Sequence, residues 1–300
     1  MHAQTSQANR LRATEFFEEL QDIVCAKLDE LDANEHFRED AWSHGDGGGG
    51  RTRILHDGAI FEKAGVNTSV VTGELSEALA RRMNVPAQPF HATGISLVIH
   101  PLSQKVPAVR ANFRYPELGN NDAWFGGGSD LTPWYLFDED ARHFHSVWKL
   151  ACDRHDPEYY PKFKKWCDEY FFLKHRGEAR GVGGIFFDYL PGDFEILFSF
   201  VRACGHSILE SYVPIVERRR HLPWGDQERR WQLSRRGRHV ELNLIYDRGT
   251  LFGLETRGRV ESILVSLPPV AHWDYDFKPD PGSPEDRLLQ VLRSPRGWTS

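Results

Sequence analysis

Arg110, Asn112 and Arg114 recur at every second position of Arg110-Ala111-Asn112-Phe113-Arg114, and Ser96, Val98 and His100 do so in the run Ile95 to His100. Period-two alternation puts each set on one face of a strand. The connection from His100 to Pro107 is short enough to join the two strands as a hairpin with a long loop. If the polar faces coincide, one sheet surface carries a serine, a histidine, an asparagine and two arginines. Guanidinium forks hold carboxylates through charge-assisted hydrogen bonds worth roughly 1.5–3 kcal/mol each, so such a surface suits a carboxylated ligand. The plainer reading is a wet face on which these arginines pair with neighbouring acids. Arg257 and Arg259 flank Gly258 and offer a second pair of guanidiniums.

Asp130 follows Gly126-Gly127-Gly128-Ser129. Three glycines let a backbone approach a flat ligand closely and leave the aspartate at a strand end, although Asp130 also suits a turn into Leu131-Thr132-Pro133. The glycine run Gly47–Gly50 before Arg51 matches no phosphate-binding pattern. His143 and His145 are two apart on an expected helix, so only one can face a given site. His175, between Lys174 and Arg176, suits a helix C-terminus. Neither HExxH nor a two-His-one-carboxylate spacing is visible.

Elements able to position these groups are legible along the chain. The 300 residues, 40% hydrophobic and 12% aromatic, can bury a sizeable core in one domain. A net charge of −6 disfavours nucleic acid. No stretch has transmembrane length and no secretory core is visible; Cys25, Cys152, Cys167 and Cys204 lack CxxC spacing. These features predict free thiols, a cytoplasmic protein and a frayed tail over residues 1–13. Helical spacing predicts helices over 14–31, 74–83, 138–154, 157–175, 194–219 (with a kink at Pro214) and 284–293. Residues 45–50 read as a loop. Strands are expected at 51–56, 59–66, 68–72, the two polar-faced segments, up to Gly126, 183–188, 240–246, 250–256 and 260–267. The pattern predicts an α+β single domain over 1–300, a large mainly antiparallel sheet flanked by helices.

Together these residues resemble the oxygen-dependent coproporphyrinogen III oxidases from about Phe16 to Trp298, through segments such as GGGGRTRIL, GISLVIHP, ANFRY, WFGGGSDLTPWY, RGVGGIFFDYL and RRGRHVELNLIYDRGTLFGL. The resemblance implies a flattened antiparallel sheet and a homodimer formed through roughly 239–274. It implies oxidative decarboxylation of the ring A and B propionates of a tetrapyrrole substrate to vinyl groups. Oxygen is the acceptor, no organic cofactor is required, and a divalent metal is of uneven standing in the family. By that likeness Ser96, Asn112, Phe113, Arg114, Arg257, Gly258 and Arg259 bind substrate, and Asp130 holds the pyrrole nitrogens. His100, His145 and His175 match three of four proposed metal positions. Arg110 departs from the family: many relatives have histidine there, assigned as proton donor and fourth metal ligand. Arginine is always charged, is a poor general acid at neutral pH and cannot ligate a cation, so a four-histidine metal site is not available in this chain. Tyr189 departs too, where relatives often have a second aspartate. Two rival readings are a tetrapyrrole-binding protein without catalysis and a histidine-ligated metal oxygenase.

Overall fold

The computed structural model describes residues 2–43, 47–75, 77, 80–81, 84–120, 122–255 and 258–299. Its centre is one antiparallel sheet: β1 (Arg38–Ser43), β2 (Gly48–His56), β3 (Phe61–Glu74), β4 (Pro89–Pro101), β5 (Ala108–Leu118), β6 (Phe125–Thr132) and β9 (Gly183–Leu190), in that spatial order. The short β7 (Phe172–Leu173) and β8 (Glu178–Ala179) form a separate ribbon. The α+β single-domain expectation holds.

Alternation gives the sheet two unlike faces. One carries Val66, Ile95, Leu97, Ile99, Val109, Ala111, Phe113, Leu131, Ile185 and Phe187, all buried. It joins one apolar core with Phe17, Leu20, Val24 and Leu28 of α1 (His2–Asp32) and Val201, Ile208 and Tyr212 of α4 (Phe194–Arg219). Fully burying each such side chain contributes about 1.5–3 kcal/mol. Also on this side are α2 (Asp138–Asp153) and the first part of α3 (Tyr159–Tyr170), whose Phe144, Trp148 and Phe163 are buried in that core. Pro214 does not end α4: the Glu210 carbonyl, whose helical donor proline removes, is bonded by the His143 ring instead, Nε2 at 3.0 Å.

The other face is polar. Ser96 stands opposite Asn112 and Asn67, Arg114 opposite Gly94 and Gly126, and Arg110 opposite Asp130. The expected hairpin is therefore present with its polar faces coincident. Over it lie α5 (Asp226–Ile245), α6 (Arg248–Glu255) and α7 (Val260–Leu264), and α8 (Pro284–Arg293) closes the chain with Ser283 as its cap. Gly65 admits this cover: a Cβ there would come within 2.8 Å of Val265.

Strands expected at 240–246, 250–256 and 260–267 are helices in the structure. In 240–246 the alternating apolar residues suggested β, yet Leu242 is buried while Leu244 is 44% exposed. The pattern that prevails is polar: Gln232, Arg236, His239 and Asn243, three or four apart, share the buried stripe of α5. Gly48–Gly50 belong to β2, paired with Val71, Val70 and Ser69, so the expected loop over 45–50 does not extend through them, while residues 45–46 lie outside the described residues. Segments 59–66 and 68–72 form the single strand β3. The frayed tail is also corrected: helix α1 already runs through residues 2–13, Ala13 is buried, and Arg10 and Ser6 bond the buried Glu117. Most of the helix expected at 74–83 lies outside the described residues.

Arg235 of α5 is 4% exposed and paired with Glu178 of β8. Glu178→Ala strands a buried guanidinium, so we expect a loss of about 3–5 kcal/mol of stability, read as a lower urea midpoint.

Candidate functional site

Between the polar sheet face and the part of the cover that follows α5, from Asp247 through α6 and α7, lies a cavity of about 480 Å³. The sheet contributes Asn67, Ser96, Arg110, Asn112 and Arg114 to its wall; Phe90, Trp124, Phe252, Tyr170 and Phe186 make it aromatic; the cover contributes Asp247, Arg248, Gly258 and Arg259. Apolar walls with a few convergent charges are the composition expected of a site for a flat, carboxylated ligand.

Arg110 and Asp247 form its polar centre. One guanidinium nitrogen reaches both Asp247 carboxylate oxygens at 3.0 Å, and another donates to Asn243 Oδ1 at 3.1 Å. Asp247 also accepts from the Thr250 amide at 2.9 Å and hydroxyl at 2.8 Å, and from the Tyr170 hydroxyl at 3.2 Å. Although burial pushes the other way, Arg110 and these donors hold the Asp247 carboxyl well below the usual carboxylate range. Asp247 raises Arg110 in turn, against the lowering effect of burial. The pair is therefore a fixed charged acceptor beside a fixed cation.

Arg114 donates to Asn112 Oδ1 at 2.7 Å and to Asp188 of β9 at 2.9 Å. Arg248 approaches the same Asp188 oxygen at 3.8 Å and lies over the Tyr170 ring, 5.1 Å from its centroid. Tyr170 stacks on Phe186 at 4.2 Å and accepts the Arg248 amide at 3.0 Å. Arg259 pairs with Asp40 of β1.

Of the residues singled out in the sequence, Ser96, Arg110, Asn112, Arg114, Gly258 and Arg259 meet at this cavity. Arg257 lies outside the described residues. Phe113 contributes only through its backbone, because its fully buried ring points into the apolar core on the opposite face. Asp130 is placed apart from them: it does not line the cavity, and it accepts from one Arg180 nitrogen at 2.6 Å on both oxygens. It neutralises the buried Arg180 and stands opposite the cavity-lining Arg110 in the sheet.

Nor are the three histidines brought together. His100 is buried with Nε2 on the Ser266 carbonyl at 3.0 Å and its ring edge-on to His239. His145 is buried on the far side of the sheet, between the Tyr160 hydroxyl and the Val182 carbonyl, each at 3.0 Å. His175 is part of the β7–β8 turn rather than a helix end, bonding Tyr246 at 2.9 Å and Glu241 at 2.7 Å. Among the described residues no three His, Cys, Asp or Glu side chains are grouped to hold a metal ion, so these donors do not fit one.

Sequence reasoning missed Asp247, Arg248, Tyr170 and Asp188. Asp247-Arg248-Gly249 read as a hairpin turn because its flanks read as strands. The polar stripe of 232–243 would have shown the helix that delivers Asp247.

Asp130→Ala unpairs the fully buried Arg180, so the expected result is a stability loss of about 3–5 kcal/mol, seen as a lower Tm. Burial pushes His100 and His145 from an ordinary value of 6.5 down to about 3. Between those values the unfolded chain binds protons that the folded chain refuses. Stability should thus fall as pH drops from about 6.5 towards 3, by up to about 1.4 kcal/mol per pH unit for each histidine. Urea titrations of the wild type and of His145→Gln across this range should show a shallower decline in the variant.

The model of the family described as "Coproporphyrinogen III oxidase" matches residues 12–298. The soybean protein named "Oxygen-dependent coproporphyrinogen-III oxidase, chloroplastic" is 51% identical over 312 residues, covering 99% of this chain and 81% of that protein. A Drosophila melanogaster protein named "Oxygen-dependent coproporphyrinogen-III oxidase" is 50% identical over 295 residues, 93% of this chain and 76% of its own length. "Coproporphyrinogen-III oxidase 1, chloroplastic" of Arabidopsis thaliana is 47% identical, covering 98% and 80%.

Proposed function

The chain belongs to the coproporphyrinogen III oxidase family, and on that premise we infer how its cavity works on the tetrapyrrole. The enzyme carries out the oxygen-dependent oxidative decarboxylation of the ring A and B propionates of coproporphyrinogen III, giving the vinyl groups of protoporphyrinogen IX in haem biosynthesis. Each half-reaction removes one carboxyl group as carbon dioxide and one hydrogen from the neighbouring carbon, and the electron pair passes to oxygen. No organic cofactor is required.

The observation that carries the assignment of roles is that Asp247 and the guanidiniums of Arg110, Arg114, Arg248 and Arg259 all border one aromatic-walled cavity. Asp247 takes the role that the family resemblance gives to Asp130. Held ionised by Arg110, it accepts pyrrole N–H bonds in place of the Tyr170 hydroxyl and favours build-up of positive charge on the ring as electrons leave. Arg110 does not donate a proton; it fixes the charge and position of Asp247. Arg114, Arg248 and Arg259 take propionates, with Ser96 and Asn112 completing the polar floor. Fixing the macrocycle in this way brings one side chain at a time to the reacting position. The aromatic residues cover the ring faces and exclude water.

A homodimer is part of the same proposal. Leu244, Ile245, Leu254, Val260 and Trp273 are exposed apolar residues within 239–274, and their burial by a second copy would also brace the helices that carry Asp247 and Arg248. Among the described residues no helix is long and apolar enough to cross a membrane. Four free, buried cysteines suit a reducing compartment, for which we propose the cytoplasm.

The test is incubation of purified, chelator-treated protein with coproporphyrinogen III, with and without oxygen. Oxygen-dependent loss of two carboxyl groups through a three-carboxylate intermediate is expected. Stoichiometric binding without conversion would instead favour a catalytically inert tetrapyrrole binder. Asp247→Asn, which keeps hydrogen-bonding atoms but removes the charge, should lower kcat by about 10²–10³, the size of losing one preorganised electrostatic contact. Near-normal turnover in a folded variant would remove Asp247 from the mechanism.

A further inference from the structure

Gly126 sits between the two residues that meet above it. Arg114 of β5 and Asp188 of β9 lie on the strands that flank β6, and their charged groups join at 2.9 Å across it. A Cβ at Gly126 would come within 2.6 Å of the Asp188 carboxylate and 2.9 Å of the Arg114 guanidinium carbon. The backbone there does not require glycine for its conformation, since φ lies outside the positive range. What requires glycine is passage of an ion pair over the strand. Arg248 reaches the same Asp188 oxygen from the cover at 3.8 Å. Asp188 therefore joins floor to cover, and its side chain is 11% exposed while those of Arg114 and Arg248 are 34% and 51% exposed.

Resting on the reading above, we propose that Asp188 is a resident counter-charge that weakens carboxylate binding by Arg114 and Arg248, and so sets how readily the macrocycle leaves. Three facing groups carry one net positive charge, enough for one propionate. Without Asp188 the same two arginines would present two positive charges to a ligand that keeps carboxylates after reaction. Binding the product as firmly as the substrate would slow turnover without speeding the chemical step. Asp188 is thus a positioning and specificity residue: it keeps the two guanidiniums converged and keeps their grip reversible.

Replacing a charge by an isosteric amide separates this role from a structural one. Fluorescence titration with coproporphyrin III, the oxidised four-carboxylate macrocycle, should give an Asp188→Asn Kd at least about fourfold lower than wild type, the lower limit for removing one like charge about 5 Å from a bound carboxylate when the full dielectric of water screens it. Steady-state assays with coproporphyrinogen III should show KM and kcat falling together, with product release slowed. Asp188→Glu, which restores the charge, should return both towards wild type. A rise or no change in Kd for a folded Asp188→Asn variant would overturn the proposal. If that variant does not fold, Gly126→Ala keeps both charges and forces them apart; it should tighten porphyrin binding, and weaker or unchanged binding overturns the proposal equally. Wild-type protein that fails to convert coproporphyrinogen III would refute the functional reading itself; conversion by wild type together with weaker binding by the Asp188 variant would refute this inference alone.

Discussion

Everything on the ligand side of this fold depends on charges being buried in matched pairs. The polar face of the sheet meets α5, a helix whose inward stripe is glutamine, arginine, histidine and asparagine rather than leucine. Such a layer is stable only if each charge removed from water finds its partner. Glu62 takes Arg236 and Arg229, Glu178 takes Arg235, Asp130 takes Arg180, and Asp247 takes Arg110. These pairs fix where the cover sits over the sheet. They thereby fix the height and wall of the cavity, an outcome that a greasy contact of the same area would not specify so narrowly.

The two faces divide labour. The apolar face supplies the burial that holds seven strands together with α1 and α4, and the polar face supplies chemistry. Phe113 between Asn112 and Arg114 shows this at the scale of one tripeptide: its ring anchors the core and its neighbours line the cavity. Gly65 and Gly126 serve the polar side by leaving room, one for Val265 of the cover and the other for an ion pair.

The sheet was legible because it is made of local alternation. The hairpin joining β4 to β5 and the shared face of Ser96, Asn112 and Arg114 follow from period two alone, and the apolar helices at either end of the chain follow from spacing of 3.6. The cover was not legible, for a physical reason. Its helices bury polar groups, so the expected apolar stripe is absent, and the outward Val240 and Leu244 counterfeit a strand. Local pattern left Asp130 open for a similar reason: whether a carboxylate after three glycines faces a ligand or an arginine fifty residues away depends on tertiary contacts that no local pattern encodes. Asp247 was hidden for the same reason, because its partner Arg110 is 137 positions distant. Whole-chain resemblance supplied the chemistry where local pattern could not.

That separation bears on how the protein is made. The strands β1 to β6 follow one another in chain order, each pairing with the next, so most of the sheet can assemble as it leaves the ribosome. The cavity's cover, with Asp247, Arg248, Thr250, Arg259 and Ser262 on its wall, emerges only afterwards. Until then the exposed surface of the nascent sheet carries Asn67, Ser96, Arg110, Asn112 and Arg114, a wetted surface that neighbouring chains have little reason to adhere to. The same polarity that lines the cavity of the finished enzyme would thus shield an unfinished one during synthesis.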